Sequence, residues 1–232
     1  MERTCCIFGA GDYGAMPRPE LDGRCFLIAA DGGYGQLKQW GMSPHLAVGD
    51  FDSLGRVPED VEVVRHPVRK DDTDMMLAVQ EGLARGCGRF LIYGGLGGRL
   101  DHTLSNLHIL AFLARKHIPA FLLGPDAAIT AVCNGTLSFP AGYRGTLSLF
   151  AWGGAAEDVT LTGLLYPLDH GTLVTDRPLG VSNEFLDGQA ALAAVGRGTV
   201  LALWTPQPGL PLPDHTTERH RNAAQLPDQS RQ

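Results

Sequence analysis

Short apolar runs closed by glycine or aspartate dominate the first half of the sequence and leave few choices of fold. Thr4–Phe8 precedes Gly9, Cys25–Ala30 precedes Asp31, His45–Val48 precedes Gly49-Asp50-Phe51-Asp52-Ser53, and Phe90–Tyr93 precedes Gly94-Gly95-Leu96-Gly97-Gly98. Runs this short, apolar throughout and bounded by turn residues, read as strands buried on both faces of a parallel sheet. Helical spacing lies between them. Met75, Met76, Val79 and Leu83 follow the capping residues Asp72 and Thr73, and Leu104, Leu107, Leu110 and Leu113 follow Asp101. The alternation predicts an α/β domain with an open, mostly parallel sheet. Ligands of such sheets sit at the carboxyl ends of the strands, where the acidic and glycine motifs fall.

Near Ile118 the pattern changes. PAFLLG, AITAVC, GTLSLFAW, DVTLTGLLYP, GTLVTD and TVLALW are strand-like runs separated by Gly, Pro, Asn or Asp, with no long helical period among them. They predict an all-β, sandwich-like C-terminal domain. The reading therefore divides the chain into an α/β domain at 1–118, a β-sandwich at 119–205 and a tail at 206–232. The tail is rich in Pro, polar and charged residues and is expected to be disordered. A chain of 232 residues is long enough to bury a real core.

A net charge of −6 argues against nucleic acid as the main partner, because phosphate backbones call for a concentrated positive surface. Five cysteines without a CxxC pair read as buried free thiols. No signal peptide is expected at the start, and the apolar runs are too short to cross a bilayer, so neither a membrane role nor export is expected and the cytoplasm is the default.

Four constellations carry chemistry. Asp50 and Asp52 lie two apart just past a strand, so an extended backbone points both carboxylates the same way. Such a pair repels itself unless a cation sits between, and magnesium suits these hard oxygen donors; an Asp-rich turn is the structural alternative. Lys70-Asp71-Asp72-Thr73-Asp74 places three carboxylates at a helix start, with Asp71 and Asp74 on one face; ordinary capping explains part of this. The loop Gly94–Gly98 with Arg99 offers backbone N–H groups and a forked cation to phosphate oxygens, but is no Walker loop because GK[ST] is absent. Gly9-Ala10-Gly11-Asp12-Tyr13-Gly14 fits GxGxxG, with Asp31 at the end of the next strand. A nicotinamide-dependent oxidoreductase is the corresponding rival, yet Pro17 and Pro19 spoil the helix that pattern requires.

Taken in order, Ala30-Asp31-Gly32-Gly33, Gly49-Asp50-Phe51-Asp52-Ser53, Asp71-Asp72-Thr73-Asp74, Gly97-Gly98-Arg99-Leu100-Asp101-His102 and Val181-Ser182-Asn183-Glu184 resemble the motifs of the thiamine pyrophosphokinase family, as does Leu161–Leu168. The resemblance spans residues 30 to 184. It implies a nucleotide-binding α/β domain, a thiamine-binding β-sandwich and a homodimer with thiamine near the dimer interface. By the same resemblance Asp50, Asp52, Asp71 and Asp74 surround magnesium and the ATP phosphates. Asp31, Gly32, Thr73, Gly97, Gly98 and Arg99 bind the nucleotide, and Asp101, Ser182 and Asn183 meet thiamine. The implied reaction is attack of the thiamine hydroxyl on the β-phosphorus of ATP, releasing AMP. A pyrophosphokinase for another hydroxymethyl heterocycle, such as a pterin, is the nearer alternative.

Overall fold

The computed structural model describes residues 3–49, 61–65 and 72–217. The first half runs β1 (Arg3–Phe8), β2 (Phe26–Ala30), α1 (Gly33–Gln39), β3 (Leu46–Gly49), β4 (Glu62–Arg65), α2 (Asp74–Ala84), β5 (Cys87–Tyr93), α3 (Leu100–Arg115) and β6 (Ala120–Leu123). Its six strands are parallel in the order β4-β3-β2-β1-β5-β6. Every residue of β2 and β3 is buried, which accounts for their unbroken apolar sequence. Cys5, Ile7, Ile28, Val48, Phe90 and Ile92 face one side, where α2 and α3 pack. Cys6, Phe8, Leu27, Ala29 and Tyr93 face the other, covered by Tyr34 and Leu37 of α1. From β1 the chain steps outward to β4, then returns to β5 on the opposite flank. The sheet therefore reverses its direction of growth between β1 and β5, which opens a crevice above their carboxyl ends.

The sheet does not stop at β6. The second half comprises β7 (Ala128–Phe139), β8 (Thr146–Ala151), β9 (Ala156–Thr162), β10 (Leu168–Leu173), β11 (Gly180–Glu184), β12 (Ala191–Trp204) and β13 (Asp214–Thr217). β7 pairs antiparallel with β6, so the two halves are hydrogen-bonded edge to edge. β12 pairs with β9 over its first half and with β8 over its second, while β7 accompanies it throughout. The break lies between Val195 and Thr199, where Gly198 has φ 103° and its N–H donates to Asn134 Oδ1 at 2.9 Å. That bulge lets two long strands bend and feed both arms of the sandwich. Residues from both arms meet in one core around Phe139, Tyr143, Phe185 and Trp204.

The α/β-plus-sandwich class agrees with the sequence reading, and α2 and α3 lie where the periodicity put them. Thr73 caps α2 by accepting from the Met76 N–H at 3.2 Å. Four short elements escaped that reading: α1, β4, β11 and β13. The expectation of a disordered tail from 206 needs correction. Asp214–Thr217 form β13 against β7, and the Tyr143 hydroxyl donates to the Pro211 carbonyl at 2.8 Å. His215 packs edge-on against Phe121, its ring centroid 5.2 Å away. One ring contact, one tyrosine hydrogen bond and four ladder pairs offset the low apolar content that suggested disorder. Residues 218–232 lie outside the described part of the chain.

Candidate active site

A cleft of about 440 Å³ opens above the carboxyl ends of β1, β2 and β5. Its floor is made by two glycine loops that cross. After β1, the Gly9 N–H donates to the Tyr93 carbonyl and the Gly11 N–H to the Gly94 carbonyl, both at 2.8 Å. A side chain at Gly11 would put its Cβ 2.5 Å from the Gly94 oxygen, so only glycine permits the crossing. Gly94 itself sits at φ 62°, and the Tyr13 hydroxyl occupies the space its Cβ would need while donating to the Gly9 carbonyl at 2.9 Å. From α3, Asn106 reaches back to hold the Gly95 carbonyl at 2.8 Å.

The cleft gathers Asp31, Thr73, Asp74, Gly97, Gly98 and Arg99 of the sequence-predicted residues. Asp31 arrives at the end of β2 in a left-handed conformation, φ 45°, with its N–H bonded to the Val48 carbonyl at 2.8 Å. Gly49, the last residue of β3, approaches Asp31 so closely that a Cβ there would lie 3.3 Å from the Asp31 backbone. The chain thus leaves β3 beside Asp31 one residue before Asp50. Asp50, Asp52 and Asp71 lie outside the described residues. Gly97 and Gly98, at φ 76° and 64°, turn the second loop toward Arg99, which precedes α3.

Two predicted residues of the α/β half stand outside the lining. Gly32 caps α1, and Asp101 lies in the first turn of α3. Arg99 donates to both Asp101 oxygens, at 3.1 and 2.6 Å. That pairing, aided by the His102 N–H, holds the Asp101 carboxyl down to about 2. The Arg99 fork is therefore already engaged, though on an exposed partner, where water and entering oxyanions compete.

Ser182 and Asn183 lie in β11 of the sandwich and do not line this cleft. The Asn183 side chain is spent on the fold: Oδ1 accepts from the Tyr166 N–H at 2.9 Å and Nδ2 donates to the Tyr166 carbonyl at 2.7 Å. Ser182 sits at φ 58°, its N–H bonded to Ser148 Oγ at 3.0 Å. Beside Asn183, Tyr166 and Val181 expose apolar surface.

Sequence reasoning assigned Gly9, Ala10, Gly11 and Asp12 only to the oxidoreductase alternative, yet they line the cleft. That alternative fails on structure, because residues 9–24 are irregular chain with two short turns and no helix follows the glycines. His102, Ser105 and Asn106 also line the cleft without having been put forward for it. The spacing of His102, Ser105 and Asn106 on one helical face was the available signal.

The catalytic-domain model of thiamin pyrophosphokinase matches residues 19–122, and the vitamin B1 binding domain model of the same family matches residues 136–193. The chain belongs to the thiamin pyrophosphokinase family. A thiamine pyrophosphokinase of Bacillus subtilis is 26% identical over 207 residues, covering 82% of this chain and 94% of that protein. Thiamin pyrophosphokinase 1 of Caenorhabditis elegans is 26% identical over 181 residues, covering 72% and 74%. A crystal structure of thiamine pyrophosphokinase from Bacillus subtilis superposes with a TM-score of 0.78 at 24% identity, covering 87% of this chain and 98% of the other. The two matched domains divide the predicted residues. Asp31, Thr73, Asp74 and Arg99 fall in the catalytic match, and Ser182 and Asn183 fall in the vitamin B1 binding match. Gly9–Asp12 precede both, and only the fold brings them to the cleft.

Proposed function

We propose that this chain transfers a pyrophosphoryl group from ATP to the hydroxyl of thiamine, releasing AMP and thiamine diphosphate. The observation that carries the reading is the cleft at the sheet's reversal point, where two crossed glycine loops meet Asp31, Asp74 and Arg99 in a chain matched by both family models. Backbone N–H groups of the loop around Gly97 and Gly98 suit phosphate oxygens. Little protein covalent chemistry is needed, since positioning and charge neutralisation carry phosphoryl transfers.

The carboxylates of Asp31 and Asp74 converge on one cleft beside which the chain leaves β3, and hard oxygen donors fit magnesium. In the proposal Asp50, Asp52, Asp71 and Asp74 hold the ion, which when bound neutralises the polyphosphate and makes an acidic cleft hospitable to it. Among the described residues alone no ligand cluster is complete.

Ser182 and Asn183 meet thiamine in this reading, with Asn183 acting by fixing the Tyr166 backbone. Because the described residues that line the cleft all belong to the α/β half, the sandwich that completes it is proposed to come from a second copy in a homodimer. The apolar surface of Tyr166, Leu179 and Val181 supports such an interface. A cytoplasmic setting belongs to the same proposal, supported by five cysteines that are all free thiols; no described helix is long and apolar enough to cross a membrane.

The deciding experiment follows AMP and thiamine diphosphate with ATP, magnesium and thiamine, each omitted in turn, and with a hydroxymethylpterin in place of thiamine. AMP formed in step with thiamine diphosphate is expected. ADP with thiamine monophosphate, or turnover on the pterin alone, would overturn the assignment.

A further inference from the structure

At the opposite edge of the parallel sheet, where β1 and β5 begin, lies a second cavity of about 300 Å³ that shares no residue with the cleft. Thr4 and Arg89 are register partners across β1 and β5 and stand side by side in its wall. Pro119, Phe121 and Pro213 give it an apolar surface, and Asp214 and His215 of β13 close it. We propose that this cavity binds a small oxyanion carrying an apolar body, either a carboxylate or a phosphate monoester.

Arg89 is the anchor. Its guanidinium lies over the Phe121 ring, 5.3 Å from the centroid, which fixes the plane of the fork. Its Nε is shut off from solvent and has no hydrogen-bond partner. Among the described residues no carboxylate comes within ion-pair distance of it. A buried donor without a partner in the wall of a cavity suits a ligand oxygen as its acceptor. A planar fork selects planar or tetrahedral oxyanions that accept two bonds at once.

His215 contributes a neutral ring. The Thr130 hydroxyl donates to the Ala120 carbonyl at 2.6 Å, so toward His215 Nε2, 2.9 Å away, it can only accept. Nε2 therefore carries the proton and Nδ1 the lone pair. Burial, together with the charge of Arg89, holds the ring neutral, its pKa down at about 4. Among the described residues Arg89 is then the cation of the lining and Asp214 its anion. Asp214 is exposed and screened by water, whereas Arg89 is half-buried, so the interior of the cavity favours negative charge. The size lies at the lower end of small-ligand sites, which admits a benzoate-sized molecule and not a nucleotide.

An occupant would touch β1, β5, the start of β6 and β13 together, tying the α/β sheet to the last described strand of the sandwich. The test uses the full chain with benzoate and phenyl phosphate as probes and benzyl alcohol as their neutral counterpart. Binding is followed by calorimetry and by the imidazole NMR signals of His215, with the cleft open or saturated with magnesium and a non-hydrolysable ATP analogue. At least one oxyanion is expected to bind and to shift His215 whether or not the cleft is filled, and benzyl alcohol to bind at least about tenfold more weakly. Arg89→Gln should weaken the oxyanion at least about tenfold, and Asp214→Asn should tighten it. If Arg89→Gln does not fold, Arg89→Lys, which keeps the charge and loses the fork, and Asp214→Asn decide the matter. No binding at millimolar probe, equal binding of the alcohol, displacement by the ATP analogue, or indifference to these substitutions would overturn the proposal.

Discussion

Asn106, buried in α3, donates from its carboxamide to the Gly95 carbonyl at 2.8 Å, and both residues line the cleft. The bond ties the helix that begins beside Arg99 to the loop that leaves β5. A Cβ at Gly95 would come 3.0 Å from Asn106 Nδ2, so loop and helix fit without slack. Asn106→Leu keeps the volume and leaves the Gly95 carbonyl without its donor, at a cost of about 1–3 kcal/mol. Steady-state kinetics should show the KM for ATP rising by more than kcat falls. An unchanged KM in a folded variant would refute the positioning role.

Gly33 follows Asp31 and Gly32, and a Cβ there would lie 1.8 Å from the Phe8 carbonyl. Backbone cannot yield that far without separating α1 from β1. Gly33→Ala is expected to destabilise by more than about 3 kcal/mol or to prevent folding. Gly23→Ala, with nothing within 4 Å, is the control and should change the melting temperature little. Similar melting temperatures for the two variants would contradict the close approach.

His215 makes stability depend on pH. Its folded pKa is about 4, below the 6.5 of a free imidazole. Between those values the unfolded chain binds a proton that the folded chain does not, so this contribution is intact above pH 6.5 and is lost as pH falls toward 4. The loss approaches about 3 kcal/mol at the acid end. Urea titrations across that range should show a shallower pH slope in His215→Gln than in the parent chain. Identical slopes would show that another group carries the effect.

Truncation after Pro206 removes β13, the acceptor for Tyr143 and the partner of Thr130. Differential scanning calorimetry should find the melting temperature lowered by several degrees, as about 1–2 kcal/mol of lost packing implies. A melting temperature equal to that of the full chain would mean these contacts contribute nothing.

The carboxylates proposed to hold magnesium should be separable from folding. Through the helix dipole Asp74 contributes about 0.3–1 kcal/mol to the first turn of α2. Asp74→Asn, like Asp50→Asn and Asp52→Asn, should therefore fold normally yet lose turnover by on the order of 100-fold. AMP release by purified variants with matched circular dichroism checks this, and near-normal rates in all three would remove the metal role from these positions.

What the sequence alone determined was local in origin. An apolar run that stops at Gly49 or Gly94 declares a buried strand without reference to anything distant. Thr73 declares a helix start because its hydroxyl needs only the N–H three residues on. The order of the acidic and glycine motifs pointed to the family because it belongs to the chain itself. Short elements carried no such signature: α1 and β4 are too brief for a period to emerge, and β11 interrupts its pattern with Ser182 at φ 58°. The membership of the cleft was decided by tertiary structure. Gly11 reaches it through a hydrogen bond to Gly94, more than eighty residues away, and that contact exists only because β1 and β5 are neighbours in a sheet whose order reverses between them. The same holds for β13, whose few apolar groups look insufficient in the sequence and suffice once β7 supplies a ladder and Phe121 a ring. Strand order and partner surfaces come from packing summed over the whole chain, and no local stretch of residues encodes them.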